Sequence, residues 1–154
     1  MIKILFVCHG NICRSPMAEF IFKDLIEKQK VSKLFSVASA ATSSEEIGNP
    51  VYPPAKAQMR KRGIGGFENK RAVKLKRSDY ELYDYFVGMD YENIYNMKRL
   101  FDGDKENKVK LLLDYTSTGG EVSDPWYTDN FEKAFDDIER GSKAFLGYLL
   151  KNKK

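Results

Sequence analysis

The chain has 154 residues, 42% hydrophobic and 31% charged, with 26 basic against 22 acidic side chains and a net charge of +4 at pH 7. That length supports one domain with a sizeable core rather than two, and the balance of apolar and charged residues excludes a disordered chain. So small a positive excess argues against nucleic-acid binding as a main function, and no apolar run approaches the roughly 18 residues a membrane span needs.

In chain order, residues 2–7 (IKILFV) read as a buried strand. The run is too short and too quickly polar for a signal peptide, so a cytoplasmic protein is expected, with secretion by a non-classical route left open. After residues 8–16 comes a helix whose apolar face is Ala18, Ile21, Phe22, Leu25 and Ile26. Ser15 is placed as its N-cap and Pro16 as its first residue. A second strand is read at 35–40, a helix opened by proline and closed by Gly63 at 53–63, a third strand at 84–89, and a helix at about 91–101. The fourth strand is expected at 109–115, and the last helix from about Asn130 to Leu150. Alternating strands and helices predict an α/β fold: a single domain over 1–154, with a four-stranded parallel sheet and helices on both faces. The longest irregular stretches, 41–53 and 116–129, are where such a sheet builds its site.

The stretch VCHGNICRSP at 7–16 lies between the first strand and the first helix. Free backbone N–H groups at a helix start carry partial positive charge, and a loop wrapped over them makes a nest for an anion. Gly10 permits a backbone that other residues resist, and Asn11 is the next most tolerant of a left-handed turn. Arg14 supplies a fork matched to two phosphate oxygens. Cys8, at the base of the loop, sits in the same positive field, which favours a thiolate, and a hydrogen bond from Ser15 favours it further. The nucleotide P-loop pattern is absent. The arrangement suits attack by sulfur on a bound phosphoryl group.

These residues resemble the low-molecular-weight protein tyrosine phosphatases, whose signature is C-x5-R followed by Ser or Thr. CHGNICRSPMAE carries the signature, and SAATSSEEIGNP at 39–50, MRKRGI at 59–64, MDYEN at 89–93 and DPWY at 124–127 follow in the family's order and spacing. The resemblance covers nearly the whole chain. It implies hydrolysis of phosphotyrosine in proteins, and of small aryl phosphates, through a phosphocysteine, with no cofactor and no metal. Cys8 is then the nucleophile, Arg14 the binder of phosphate and transition state, and Asp124 the acid that protonates the leaving phenolate and afterwards the base for water. Residues His9, Gly10, Asn11, Ile12, Cys13 and Arg14 form the phosphate-binding loop. Asn11, Ser15 and Ser39 form its supporting network. Ile12, Glu45, Trp126 and Tyr127 line the cleft, Glu45 at a position that sets specificity. The family usually completes the network with a histidine in a His-x-Ala-Arg stretch; here NKRAVKL at 69–75 has Lys70 and Val73 at the histidine and arginine positions.

Blander readings stand beside these. Trp126 and Tyr127 could be core aromatics, and His9 reads first as a solvent-facing loop residue. Cys13 is either a small apolar filler or the thiol that closes a reversible disulfide on an oxidised Cys8. Segment 56–77 holds nine Lys and Arg against one acid, Glu68, which reads first as a solvated face and second as a site for phosphorylated partners. Three rivals share features of the site. Thiol-dependent arsenate reductases need cysteines downstream of Cys13, and there are none. Arginine phosphatases usually carry threonine where Ile12 stands. A binding module without turnover needs neither the sulfur nor the acid. The expected partners are tyrosine-phosphorylated proteins, with no nucleic acid and no membrane insertion, and the expected state is a monomer.

Overall fold

The computed structural model describes residues 1–152; the last two positions of the predicted domain lie outside the described residues. Four strands, β1 (Ile2–Cys8), β2 (Phe35–Ala41), β3 (Tyr85–Gly88) and β4 (Val109–Leu111), form one sheet in the order β2-β1-β3-β4. Every pairing is parallel. The helices are α1 (Arg14–Lys28), α2 (Pro53–Lys61), α3 (Tyr91–Leu100), the four-residue α4 (Pro125–Thr128) and α5 (Phe131–Lys151). The α/β class and the four-stranded parallel sheet are as the sequence predicts.

The period of two in β1 builds both halves of the core. Ile4, Phe6 and Cys8 point to the face covered by α1, α2 and α5, while Leu5 and Val7 point to the face that packs on α3. On the first face Phe6 of β1, Phe22 of α1 and Phe145 of α5 pack ring on ring, 5.7–6.4 Å between centroids. On the second, Phe86 of β3 stacks on Tyr80 and meets Phe101. The connection from β1 runs to β2 on one side, and the next strand, β3, pairs on the other. That reversal leaves a crevice beyond the carboxyl ends of β1 and β3, the place where such sheets take ligands.

The fourth strand is shorter than expected. Residues 112–115 leave the sheet as a 3-10 turn (Leu112–Tyr115), because β4 is an edge and these leucines turn under α5. Gly141 of α5 marks the close approach: a Cβ there would lie 2.7 Å from Leu112 Cγ. The short α4 was not expected either; its four residues carry no hydrophobic period to read. Gly63, after α2, has a positive φ of 77°, as a helix-terminating glycine requires.

Candidate active site

Cys8 is the last residue of β1, paired with Ala41 of β2, so its position is fixed by the sheet. The chain then turns through His9–Cys13 into α1. Ser15 is not the N-cap: Arg14 is the first helical residue and Cys13 occupies the cap without a side-chain bond. The hydroxyl that a cap would need is turned inward instead. Ser15 Oγ lies 3.0 Å from Cys8 Sγ, and the backbone N–H groups of Asn11 and Ser15 donate to the same sulfur at 3.3 and 3.4 Å. Ser15 Oγ accepts from Asn11 Nδ2 at 2.8 Å, which leaves its own proton for the sulfur. Three donors thus converge on one buried sulfur.

The left-handed residue of the loop is Asn11, with φ 61°. Gly10, expected to be the permissive position, has an ordinary negative φ. Its missing side chain serves space: a Cβ would meet Glu46 Cγ at 3.3 Å. Asn11 holds its strained turn with its whole amide. Nδ2 donates to Ser15 and to Ser39 Oγ (3.0 Å), and Oδ1 accepts from Val73 N–H (3.1 Å). The predicted trio Asn11, Ser15 and Ser39 is therefore one hydrogen-bonded unit.

Behind it stands a group that sequence reasoning missed. Glu19, only 5% exposed, accepts from Ser39 Oγ at 2.6 Å and from Lys23 Nζ at 2.6 Å. Lys70 Nζ donates to the Ser39 carbonyl at 3.0 Å and lies 3.9 Å from Glu19 Oε1. Burial, reinforced by Lys23 and opposed by Glu19, pulls the Lys70 ammonium below its usual range. In sequence Glu19 reads as a surface i,i+4 partner of Lys23; only the return of β2 brings Ser39 against it.

Arg14 is 2% exposed. Nη1 donates to Asp90 Oδ2 at 2.8 Å and to the Val122 carbonyl at 2.9 Å, and Nη2 to Asp124 Oδ2 at 3.3 Å. Burial works against its charge, but the negative charges of Cys8, Asp90 and Asp124 outweigh burial and hold the guanidinium above its already high value. Asp90, the second missed residue, does two jobs. Oδ1 caps α3 through Asn93 N–H at 2.8 Å, and Oδ2 aims Arg14. The first job was legible in MDYEN; the second needs β3 beside β1.

Asp124 stands at φ −78°, ψ 110° before Pro125, the extended conformation proline imposes. Its Oδ1 accepts from Trp126 N–H at 3.0 Å, while Oδ2 faces Arg14. Cys8, His9, Gly10, Ile12, Cys13, Arg14, Glu45, Asp124, Trp126 and Tyr127 all line one cavity of about 110 Å³, joined by Glu46, which the sequence did not single out. Trp126 and Tyr127 are 50% and 84% exposed, so they are rim residues and not core aromatics; Trp126 rests on Tyr52 at 4.9 Å. His9 Nε2 contacts Glu45 Oε1 at 3.2 Å over the mouth. Ile12 is buried, with its side chain on the cavity wall. Cys13 is a free thiol, and burial first, then the charges of Cys8 and Asp124, push its ionisation far above the usual range against the opposing Arg14.

A profile described as low molecular weight phosphotyrosine protein phosphatase matches residues 3–154. The chain belongs to that family. It is a protein-tyrosine phosphatase, a hydrolase. Low molecular weight protein-tyrosine-phosphatase YfkJ of Bacillus subtilis is 37% identical over 156 residues, covering 100% of this chain and 99% of that protein. Its crystal structure superposes with a TM-score of 0.96, covering 100% and 98%. The low molecular weight phosphotyrosine protein phosphatase of Gallus gallus is 38% identical over 94% of this chain and 93% of its own. A crystal structure described as a drosophila arginine phosphatase matches with a TM-score of 0.88 at 26% identity, covering 99% and 100%. The fold thus serves more than one kind of phosphorylated residue.

Among the described residues of the phosphatase, no group of three or more His, Cys, Asp or Glu side chains could hold a metal ion, and no helix is long and apolar enough to cross a membrane.

Proposed function

We propose that residues 1–154 act as a single, monomeric, cytoplasmic phosphatase domain that hydrolyses phosphotyrosine in proteins, and small aryl phosphates, through a phosphocysteine at Cys8. The carrying observation is one sulfur with three hydrogen-bond donors on the floor of a cavity that Arg14 and Asp124 also line. Cys8 sulfur attacks phosphorus as the bond to the phenolic oxygen breaks. The loop N–H groups and Arg14 take up the charge on the equatorial oxygens, where fixed donors cost no reorganisation. Asp124 gives its proton to the leaving oxygen. In the second step water attacks phosphorus, Asp124 takes the water's proton, the P–S bond breaks, and phosphate leaves with the thiolate restored.

The contact between Arg14 Nη2 and Asp124 Oδ2 at 3.3 Å fits this sequence. Phosphate oxygens compete for the same N–H, which frees the Asp124 carboxyl to face the leaving oxygen. Ile12 favours a tyrosine ring over a guanidinium, since it offers apolar contact and no hydrogen bond.

Steady-state rates on phosphotyrosine, phosphoserine and phosphoarginine peptides, with chelator present, test the reading. Phosphotyrosine turnover should dominate, and Cys8→Ser should abolish it while still binding phosphate through the loop N–H groups and Arg14. Cys8→Ser with a substantial fraction of the wild-type rate, or phosphoarginine preferred, would overturn it.

A further inference from the structure

Beside the active site runs a second groove, of about 350 Å³, that the phosphatase chemistry does not use. His9 lines both cavities. Beyond it the groove walls include Thr42 and Ser43 after β2, Lys74 in the segment bridged to Ala41, and Asn96 and Arg99 of α3. Two backbone bonds tie this groove to the nucleophile's loop: Thr42 N–H donates to the Cys8 carbonyl and Ser43 N–H to the His9 carbonyl, each at 3.0 Å. Its distance from Cys8 is therefore built in.

The two cavities differ in the acidic groups around them. The mouth of the catalytic cavity carries Glu45, Glu46 and Asp124. The groove is lined by Lys74 and Arg99 and by no acid. Neither cation has a carboxylate within ion-pair distance among the described residues. Lys74 Nζ reaches only the Leu75 carbonyl, at 3.4 Å, and the Arg99 guanidinium lies 5.8 Å from the Tyr95 ring. The rest of the wall holds the neutral hydrogen-bonding side chains of Thr42, Ser43 and Asn96, with His9 and two leucines, Leu75 and Leu100, and the Thr42 hydroxyl is buried with no partner.

We propose that this groove is a second anion subsite, resting on the phosphotyrosine reading of the first. It takes an anionic group on the substrate peptide flanking the phosphotyrosine, either a carboxylate or a second phosphate. With the phosphotyrosine in the loop, a flanking anion is repelled from the acidic mouth and drawn past His9 to Lys74 and Arg99, where the neutral hydrogen-bonding side chains complete its shell. Complementary charge of this kind sets partner choice and encounter rate more than raw affinity.

The test compares phosphotyrosine peptides that carry alanine, aspartate or phosphoserine at the flanking positions, with a small aryl phosphate as reference. Wild-type kcat/KM should favour the aspartate and phosphoserine peptides over the alanine peptide by about fivefold to tenfold, the range of one or two partly exposed ion pairs. The preference should shrink as salt is raised. The double variant Lys74→Ala/Arg99→Ala should lose it while keeping the wild-type rate on the aryl phosphate. Preference for phosphoserine without aspartate assigns the site to a second phosphate; equal preference assigns it to any anion. Wild type indifferent to flanking charge, or a preference that survives the double variant, would overturn the subsite. Failure to hydrolyse the aryl phosphate at all would instead overturn the phosphatase reading.

Discussion

Residues 8–15 and residues 122–130 face each other across one cavity and are held in different ways. In the first, the Cys8 sulfur, the Asn11 amide and the Ser15 hydroxyl each make two or three hydrogen bonds, and a buried carboxylate, Glu19, anchors the array from behind. In the second, the chain is pinned at Val122, whose N–H donates to the Met89 carbonyl and whose carbonyl accepts from Arg14. It then crosses the cleft as a four-residue helix with two exposed aromatics. The difference fits the proposed chemistry. Donors that stabilise a transferring phosphoryl group must be in place beforehand, whereas a segment that admits an aromatic ring and brings up a proton gains from being lightly held.

The largest expected effect comes from the rigid side. Arg14→Lys should lower kcat by about a thousandfold, because an ammonium cannot give two parallel bonds. It also leaves Asp90 and Asp124 short of a buried partner. Near-wild-type kcat would make the guanidinium peripheral.

On the loose side, Asp124→Ala should cost about a hundredfold on phosphotyrosine and much less on an activated aryl phosphate, whose phenolate leaves without a proton. Comparing kcat on the two substrates reads this directly. Equal losses would assign Asp124 to holding Arg14 and capping α4 rather than to proton transfer.

Glu19→Gln sharpens the comparison from behind the loop. It keeps the shape and removes the charge that Ser39, Lys23 and Lys70 share. A fall in kcat of about tenfold is expected, with little change in KM, since the residue touches no substrate and acts only through the order of Asn11 and Ser15. Lys70→Met should act in the same direction. Unchanged kcat in both variants would show that the sheet and α1 alone hold the loop.

The smallest basal effect is expected at Cys13. Cys13→Ser should be nearly as active as wild type but recover less with a dithiol after mild peroxide, because an oxidised Cys8 then lacks the thiol that caps it. Equal recovery would make Cys13 a packing residue. The thiol also has a signature in stability. Its ionisation is raised in the folded chain above the ordinary value of 9.0. The unfolded chain therefore loses the proton first, and this contribution to stability, complete below pH 9, declines as pH rises above it. Denaturation midpoints should fall less steeply above pH 9 in Cys13→Ser.

What could be read beforehand divides along the same line. The loop from Cys8 to Arg14 is local, six residues apart, so its spacing alone announces an anion site. β1 alternates between two cores, so its strand is plain. The parts that were not legible depend on chain segments brought together by the sheet. Asp90 meets Arg14 only because β3 lies next to β1, Glu19 meets Ser39 only because β2 does, and Leu112–Tyr115 leave the sheet only because β4 is an edge. Ser15 was misread because Ser-Pro is a true capping signal whose hydroxyl here serves the sulfur instead. Lys70 could be seen to replace a histidine, but not that its ammonium would hold the Ser39 carbonyl and approach Glu19.

The proposed chemistry turns on a covalent bond between phosphorus and Cys8. Rapid quenching of Asp124→Ala with an activated aryl phosphate, whose phenolate leaves without the missing acid, followed by mass analysis of the proteolysed enzyme, tests it most directly. A burst of phenolate, with phosphate carried on the fragment that contains Cys8, is the expected result, because the first step no longer needs the acid while without the base water attacks slowly. Turnover with no phosphorylated fragment, or phosphate on any residue other than Cys8, would contradict it.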